Sequence, residues 1–315
     1  MAKTAAKVTI VGAGFVGSTI AYTLVNAGTV SEIVLVDVDN ARAEGEAMDI
    51  EHGSPFFKES LIHAGDYQTA AGSDIVIVTA GTNQKPGETR MDLITRNAAI
   101  VTDVAKQLKE TCPDAVILVV ANPVDVMTRV IQETTGFPAE RVIGSGTNLD
   151  SARFRYLLSK KFGVDSRNIH GYILGEHGDS EFAAWSNVHI AGMNINEASD
   201  IFGGIMGDYD YIDIANATKN AAYEIINRKR ATYYGIAASA ARITEAILRD
   251  EKSIMPLSVK LNGQYGLRDI YLSLPTVIGQ HGVVRILTPY LSEEEEGKLH
   301  HSAKVLAEAY EGLRK

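Results

Sequence analysis

Hydrophobic residues in the first half of the chain form short continuous runs separated by longer segments with helical spacing. The continuous runs predict buried strands over 7–11, 33–36, 75–79, 115–120 and 141–143. The segments between them, where apolar residues recur every three or four positions, predict helices over 15–26, 41–51, 93–110 and 124–133. Strands that are apolar throughout and alternate with helices indicate an α/β fold with a parallel sheet covered on both faces.

The second half has a different pattern. We predict a helix over 149–162, then short strands, and then one long helical stretch over 214–249. Residues 253–274 read as a hairpin, because Asn262-Gly263 interrupts an otherwise strand-like run. Ser292, with Glu295 three positions later, forms a capping box that predicts the start of the last helix. Mixed strands and helices of this kind indicate an α+β domain.

Composition and charge exclude several classes of protein. The chain has 315 residues, is 45% hydrophobic, and carries a net charge of −9 without a basic cluster, so we expect no nucleic-acid partner. The longest apolar run, 115–121, is too short for a membrane helix, so we expect no membrane association. A single cysteine, Cys112, and the absence of a visible signal peptide favour a cytoplasmic location.

A glycine-rich motif stands between the first predicted strand and the first predicted helix. Gly12-Ala13-Gly14-Phe15-Val16-Gly17 fits G-x-G-x-x-G, and Asp37 ends the next strand. In this context the motif indicates a dinucleotide site, with the phosphates at the helix N-terminus and the acid on the ribose hydroxyls. The charge of Asp37 repels a 2′-phosphate and thus favours NAD over NADP. The alternative is a glycine-rich turn with a chance acid.

We therefore expect a Rossmann-type doubly wound parallel sheet in residues 1–146, followed by an α+β catalytic domain in residues 147–315. NAD is the expected cofactor, and no metal is expected.

Three further features carry side chains suited to chemistry on a hydroxy acid. His177 stands among glycines, Asp150 and Arg153 share one helix face, and Arg90 follows the strand 75–79 on a loop. Histidine exchanges a proton near neutral pH, a carboxylate fixes its tautomer, and guanidinium groups bind carboxylates or developing oxyanions. Each feature has an alternative: a structural histidine, a carboxylate at a helix N-terminus, and a surface ion pair. Spacing alone does not decide between them.

The sequence resembles the L-lactate and malate dehydrogenase superfamily, most closely its bacterial lactate dehydrogenases, from about Lys7 to Arg314. The motifs that carry the resemblance are Val11-Gly12-Ala13-Gly14, Gln84-Lys85-Pro86-Gly87-Glu88-Thr89-Arg90, Ala121-Asn122-Pro123-Val124-Asp125, Leu149-Asp150-Ser151-Ala152-Arg153-Phe154-Arg155 and Gly175-Glu176-His177-Gly178-Asp179.

The resemblance implies a role for each matched residue. His177 is the implied proton donor and acceptor, Asp150 orients it, and Arg90 polarises the substrate carbonyl when its loop closes. The implied substrate-binding residues are Gln84, Arg90, Asn122, Arg153 and Thr232. The expected cofactor-binding residues are Gly12, Gly14, Phe15, Val16, Gly17, Asp37 and Asn122.

Gln84 bears on the choice of substrate. Malate dehydrogenases carry arginine at this position, where it pairs with the second carboxylate of oxaloacetate. With Gln84 a dicarboxylate would bury an unpaired charge, so pyruvate and L-lactate are the expected substrates. Thr232 also matches the lactate branch. The alternatives are an NAD-dependent malate dehydrogenase, a 2-keto-acid reductase of broader specificity, and a non-catalytic NAD-binding regulator.

Two other residues match an effector site of the bacterial enzymes. Arg155 points away from Arg153 on the predicted helix, and His170 lies at the far end of the extended segment that leads to His177. By resemblance they form an anion site for fructose 1,6-bisphosphate at a subunit interface of a homotetramer. The alternative is that they are ordinary surface charges or a tetramer contact without an effector.

Overall fold

Parallel strands of the first half form one side of a large sheet in the computed structural model, which describes residues 6–83, 87–203 and 206–314. These strands are β1 (Lys7–Val11), β2 (Glu32–Val36), β3 (Leu61–Ala64), β4 (Ile75–Val78), β5 (Val116–Val119) and β6 (Val142–Gly144). The helices between them are α1 (Phe15–Ala27), α2 (Asn40–Glu51), α3 (Arg90–Thr111) and α4 (Val124–Thr135).

The second half contains longer helices and shorter strands. Its helices are α5 (Asn148–Phe162), α6 (Ile195–Phe202), α7 (Asp208–Lys229), α8 (Tyr234–Leu248) and α9 (Glu293–Leu313). Its short strands are β7 (Ile169–His170), β8 (Ile173–Leu174), β9 (Phe182–Ala183), β10 (His189–Ile190) and β11 (Met193–Asn194). Its longer strands are β12 (Ser253–Asn262), β13 (Arg268–Gly279) and β14 (Gly282–Ile286).

The parallel strands follow the order β3-β2-β1-β4-β5-β6, which is that of a dinucleotide-binding sheet. β4 is buried along its whole length, because helices cover both faces. The hairpin β12–β13 and the strand β14 extend the same sheet on the side of β6, where Ser258 pairs with Gly144. The expected doubly wound sheet with an α+β continuation is confirmed, and the hairpin at Asn262-Gly263 with it. The domain boundary after residue 146 stays a prediction.

The core and the last helix follow from the sequence pattern. Ile10, Ile77 and Leu118 are fully buried in the centre of the sheet. Ser292 caps α9 and forms the expected capping box with Glu295. No helix within the described ranges is long and apolar enough to cross a membrane.

The structure differs from the expected elements in the second half and at one edge strand. The expected helix 214–249 is two helices, because Arg230 adopts a left-handed φ of 74° and ends α7. β3, α6 and β14 were not predicted; β3 and β14 are edge strands with mixed burial patterns, and α6 is short. The segment from His170 to His177 is not one strand either, since β7 and β8 belong to different sheets.

Candidate active site

The turn between β1 and α1 requires glycine at two positions. Gly12 has a φ of +107° and donates its N–H to the Val36 carbonyl oxygen at 2.7 Å. A Cβ atom on Gly17 would lie 1.8 Å from the Gly12 carbonyl oxygen. The helix can therefore approach the turn this closely only because Gly17 has no side chain.

The amino end of α1 is open to a ligand. Gly14 caps the helix without a side-chain hydrogen bond, and a Cβ atom there would meet no heavy atom within 4 Å. The first N–H groups of a helix have no acceptor inside it, and here they belong to Phe15, Val16 and Gly17. Donors at the positive end of a helix dipole, beside open space, fit a pyrophosphate group.

Asp37 lies beside this turn. One of its carboxylate oxygens accepts the Ala13 N–H at 2.6 Å, and the other accepts the Asp39 N–H at 2.9 Å. The carboxylate is thus held at the end of β2, where a ribose bound over the turn would place its hydroxyls. The residues of the turn and Asp37 together fit NAD.

Stacked aromatic rings connect the turn to the second half of the chain. Phe15 is largely exposed on one side and stacks on Tyr233, with ring centroids 5.5 Å apart and an interplanar angle of 25°. Thr232, a residue predicted to line the substrate pocket, precedes Tyr233 in the segment between α7 and α8. The structure therefore brings Thr232 towards the nucleotide turn.

Asn122 lies just beyond the carboxyl end of β5. Its carbonyl oxygen accepts a hydrogen bond from the side chain of Asn97 on α3 at 2.8 Å. β5 pairs with β4, and β4 pairs with β1, so Asn122 and Gly12 follow the two strands that flank β4, at the carboxyl ends of the parallel strands. Ligands of open parallel sheets bind at this edge.

The start of α5 is attached to β8 by hydrogen bonds. The Thr147 hydroxyl donates to the Ile173 carbonyl oxygen at 2.5 Å, and the Ile173 N–H donates to the Ser151 hydroxyl at 2.9 Å. Gly175 exchanges two backbone hydrogen bonds with Ser273 of β13, at 3.1 and 2.8 Å. These contacts hold the first turn of α5 against the segment that follows β8.

That arrangement brings Asp150, Arg153 and His177 together. Asp150 is buried, and one of its oxygens is 2.6 Å from Nδ1 of His177. The other oxygen accepts a hydrogen bond from Nη1 of Arg153 at 2.8 Å. The His177 side chain is 28% exposed, so a ligand can reach its ring from outside. A carboxylate that bridges a histidine and an arginine in this way orients both.

The electrostatics of the pair favour a charged imidazole. Burial by itself would lower the pKa of His177, but the Asp150 carboxylate outweighs it and raises the pKa to about 9. Burial would raise the pKa of Asp150, but the imidazolium and Arg153 hold it below its usual value. The pair therefore carries a proton on His177 at neutral pH and keeps Asp150 ionised.

We expected Arg90 to lie on a loop, but it is the first residue of α3. Thr89 caps this helix and forms a capping box with Asp92, so the helix begins earlier than the hydrophobic spacing suggests. The Arg90 guanidinium forms an ion pair with the buried carboxylate of Glu176. Because Glu176 precedes His177, this contact places Arg90 at the histidine segment.

Sequence reasoning missed two carboxylates near His177. Asp125, buried in the first turn of α4, accepts the His177 backbone N–H at 2.8 Å, and burial raises its pKa to about 6. Glu181 has one oxygen within 4.8 Å of ligand atoms of Asp150 and His177. Burial and then the Asp150 charge raise the pKa of Glu181 to about 8. Asp125 is the last residue of one of the motifs shared with the dehydrogenases, and this could have identified it as a site residue. Glu181 lies outside those motifs.

The ligand atoms of Asp150, His177 and Glu181 lie within 4.8 Å of one another, which is close enough for all three to bind one metal ion. Asp150, however, already uses one oxygen for His177 and the other for Arg153. The expectation of no metal stays a prediction.

Arg155 and His170 do not take part in this cluster. Gln84 falls outside the described residues. Arg155 is partly buried on α5 and donates from Nε to the Ser151 carbonyl oxygen at 3.2 Å. His170 is exposed on β7, opposite His189 on β10.

A cleft at the other end of the sheet contains none of the predicted residues. It lies at the amino ends of β4 and β5 and is lined in part by Ser73, Cys112 and Arg141. Parallel α/β sheets bind ligands at the carboxyl ends of their strands, so this cleft is not the candidate site.

Comparison with known proteins agrees with the geometry. Residues 6–144 match the family model described as lactate/malate dehydrogenase, NAD binding domain, and residues 147–314 match its alpha/beta C-terminal domain. The chain is 50% identical to an L-lactate dehydrogenase of Thermoanaerobacterium saccharolyticum, over 98% of this chain and 99% of that one. It is 49% identical to L-lactate dehydrogenase 1 of Clostridium acetobutylicum, over 98% of each.

Solved structures show the same similarity. A minor L-lactate dehydrogenase from Enterococcus mundtii, in its ligands-bound form, aligns with a TM-score of 0.96 at 43% identity, over 99% of each chain. A lactate dehydrogenase from a Medee basin deep-sea metagenome library aligns with a TM-score of 0.96 at 45% identity, over 100% of each chain.

A dinucleotide turn beside a histidine–carboxylate pair defines an oxidoreductase that acts on a CH–OH group with NAD as its cofactor. Within that class, the chain belongs to the lactate/malate dehydrogenase family.

Proposed function

We propose that the protein transfers a hydride reversibly between NADH and pyruvate, giving L-lactate and NAD⁺. The observation that carries the proposal is the bridge of Asp150 between His177 and Arg153. This bridge combines a proton donor with a carboxylate-binding group, which are the two functions that a 2-keto acid requires. The names of the relatives support the choice of L-lactate, since the two relatives named above are L-lactate dehydrogenases.

Each side chain has a defined part in this reaction. When bound, NADH supplies the hydride to the keto carbon. His177 donates a proton from Nε2 to the keto oxygen, because Nδ1 is engaged by Asp150. The Arg153 guanidinium binds the substrate carboxylate with its remaining N–H groups. Arg90 stabilises the negative charge that develops on the keto oxygen.

The other proposed contacts surround these groups. Asn122 and Thr232 line the pocket between nicotinamide and substrate, and the neutral residue at position 84 supplies no partner for a second substrate carboxylate. The glycine-rich turn, Phe15, Val16 and Asp37 hold the adenosine and pyrophosphate. A malate dehydrogenase is the second candidate, and it is disfavoured by the neutral residue at position 84 and by Thr232.

A panel of keto acids tests the proposal. NADH consumption with pyruvate, oxaloacetate and a longer 2-keto acid should give the highest kcat/KM for pyruvate, because the other two require an additional charge or volume in the pocket. A preference for oxaloacetate would identify a malate dehydrogenase. A preference for the longer acid would identify a broader reductase, and no turnover with any of them would leave a regulator that only binds NAD.

We also propose a homotetramer that acts in the cytoplasm. Among the described residues of α7 only Thr218 is fully buried, whereas Tyr209, Ile212 and Tyr223 are largely exposed. A helix with this much exposed apolar surface is typical of a subunit interface. The single buried Cys112 is consistent with a reducing compartment.

Fructose 1,6-bisphosphate is the proposed effector, bound by Arg155 and His170. His170 is exposed and lies opposite His189, so an anion at this surface would meet imidazole side chains from two strands. An activator must bind the active quaternary state more tightly than the inactive one. The bisphosphate should therefore lower the KM for pyruvate and strengthen the tetramer.

Saturation curves and light scattering measure this effect. We expect the bisphosphate to lower the apparent KM for pyruvate by about fivefold or more, and the double variant Arg155→Gln/His170→Gln to lose the response. Arg249→Gln, which removes an exposed arginine paired with Glu245 at the end of α8, serves as the control and should respond like the unmodified protein. Superimposable curves with and without the bisphosphate would exclude it as an effector.

A further inference from the structure

Glu176 is a buried carboxylate to which the proposed reaction assigns no role. Its side chain is only 1% exposed, whereas that of its partner Arg90 is 45% exposed. Removing a carboxylate from water is costly unless charged or hydrogen-bonding groups compensate for it. The position of Glu176 therefore reflects specific contacts.

The contacts of Glu176 join three separate parts of the chain. One carboxylate oxygen pairs with the guanidinium of Arg90, at the start of α3. The other accepts hydrogen bonds from the Ser180 hydroxyl at 2.5 Å and the Ser180 N–H at 3.2 Å. Ser180 is in turn held by Ser302 of α9, whose hydroxyl donates to the Ser180 carbonyl oxygen at 2.6 Å. Glu176 is thus fixed from one side by α9 and holds Arg90 on the other.

We propose that Glu176 is a positioning residue, which directs the Arg90 guanidinium towards the substrate carbonyl. This inference rests on the proposed role of Arg90 and deepens it. A guanidinium is a rigid planar fork, so a fixed carboxylate on one N–H group determines where the other N–H groups point. Asp179, whose carboxylate lies 4.0 Å from Nη1 of Arg90, contributes a weaker attraction on the same side.

The geometry separates the effects on rate and on binding. Arg90 is an exposed, flexible side chain that must be in place when charge develops on the keto oxygen. Arg153, which binds the substrate carboxylate, is held by Asp150 and does not depend on Glu176. Loss of the Glu176 charge should therefore lower kcat and leave the KM for pyruvate nearly unchanged.

A double-mutant cycle tests the proposal. Single-turnover hydride transfer is measured for the unmodified protein, E176Q, R90Q and the double variant R90Q/E176Q. We expect E176Q to slow the step by about tenfold or more, and R90Q by about a hundredfold or more. In the R90Q background E176Q should have no further effect, because its action passes through Arg90.

A matched control accounts for the general cost of neutralising a buried carboxylate. Glu295 is also buried and hydrogen-bonded to a serine hydroxyl, that of Ser186, but it belongs to the capping box of α9 and contacts neither Arg90 nor His177 in any hydrogen bond or ion pair found among the described residues. E295Q should leave the rate of hydride transfer unchanged. NADH binding and thermal unfolding establish that each variant is folded; if E176Q is not, E176D replaces it in the cycle, since it retains the charge but shortens the reach to Arg90.

The outcomes distinguish the role of Glu176 from that of Arg90. If E176Q slowed hydride transfer as much in the R90Q background as in the unmodified protein, the positioning role of Glu176 would be overturned and the proposed role of Arg90 would stand. The positioning role is also overturned if E176Q changes the KM for pyruvate and not kcat. If R90Q itself transfers hydride at the normal rate, the proposed role of Arg90 fails, and that of Glu176 with it.

Discussion

Asp150→Asn is expected to lower kcat/KM for pyruvate by about a thousandfold at neutral pH. The carboxylate has two effects on His177 that an amide cannot reproduce. It accepts a hydrogen bond at Nδ1, which leaves Nε2 to face the substrate, and its negative charge stabilises the imidazolium. An amide removes that stabilisation, and it can also hold the ring in the wrong tautomer.

The pH dependence of pyruvate reduction should also change in this variant. The pKa of His177 is raised to about 9, so the proton donor is present below that pH, and pyruvate reduction should decline as the pH rises through about 9. In Asp150→Asn the burial that lowers the His177 pKa remains, but the largest contribution that opposes it, from the Asp150 carboxylate, is gone. The alkaline limit of kcat/KM should therefore move to lower pH than in the unmodified protein.

Initial rates across the pH range measure this shift, and NADH binding provides an independent check that the nucleotide site is intact. Asp165→Asn, which removes an exposed carboxylate paired with Arg167, is the control and should leave the profile unchanged. An unchanged alkaline limit in Asp150→Asn would mean that His177 does not depend on Asp150 for its charge.

Gln84→Arg is expected to change the ratio of kcat/KM for oxaloacetate over pyruvate by about a thousandfold. Gln84 itself lies outside the described residues, and the prediction rests on charge. A second carboxylate buried without a partner costs several kcal/mol, and an arginine at this position would supply the partner. The same arginine would face the methyl group of pyruvate, for which it offers no favourable contact.

The described residues before and after position 84 share one partner on α3. Arg96 on α3 donates from Nε to the Thr82 hydroxyl at 2.6 Å and from Nη2 to the Asn83 carbonyl oxygen at 3.2 Å. The same guanidinium pairs with Glu88, on the other side of position 84. One guanidinium on α3 therefore contacts Thr82, Asn83 and Glu88.

A control variant with a positive charge one residue away distinguishes a specific ion pair with the second carboxylate of oxaloacetate from a general attraction of anions to the site. Asn83→Arg adds the same positive charge at an exposed position and should raise activity towards both keto acids only slightly. Steady-state kinetics with the two acids decide the matter. If Gln84→Arg and Asn83→Arg changed the ratio equally, the residue at position 84 would not determine the substrate.

The sequence predicted the parallel sheet well, because its strands are buried on both faces and therefore apolar throughout. β4 and β5 were found within one or two residues of their expected bounds for this reason. The break between α7 and α8 was missed because residues 230–233, which separate the two helices, include no glycine or proline. Arg230 ends α7 in a left-handed conformation, and Lys229 packs over the rings of Tyr233 and Tyr234, with distances to the ring centroids of 3.6 and 4.1 Å.

The candidate site was predictable where residue type and motif suffice. His177, Asp150 and Arg153 were singled out from spacing and resemblance, and the structure places them in contact. The partner of Arg90 was not predictable. Glu176 is 86 positions away in the chain, and nothing in its local sequence indicates that its carboxylate is buried against a guanidinium and a serine.

The amino-acid sequence alone predicted the alternating strands and helices of the first half, the glycine-rich turn of a dinucleotide site, and the candidate acid–base residues. These properties depend on neighbours in the chain, namely on hydrophobic spacing, on backbone angles that glycine permits, and on the intrinsic pKa of a side chain. Only the tertiary structure decided that Asp150 divides its two oxygens between His177 and Arg153, and that Glu176 holds Arg90. Such pairings depend on which buried charges meet once the sheet and its helices have packed, and the cost of burying an unpaired charge then leaves them few alternatives.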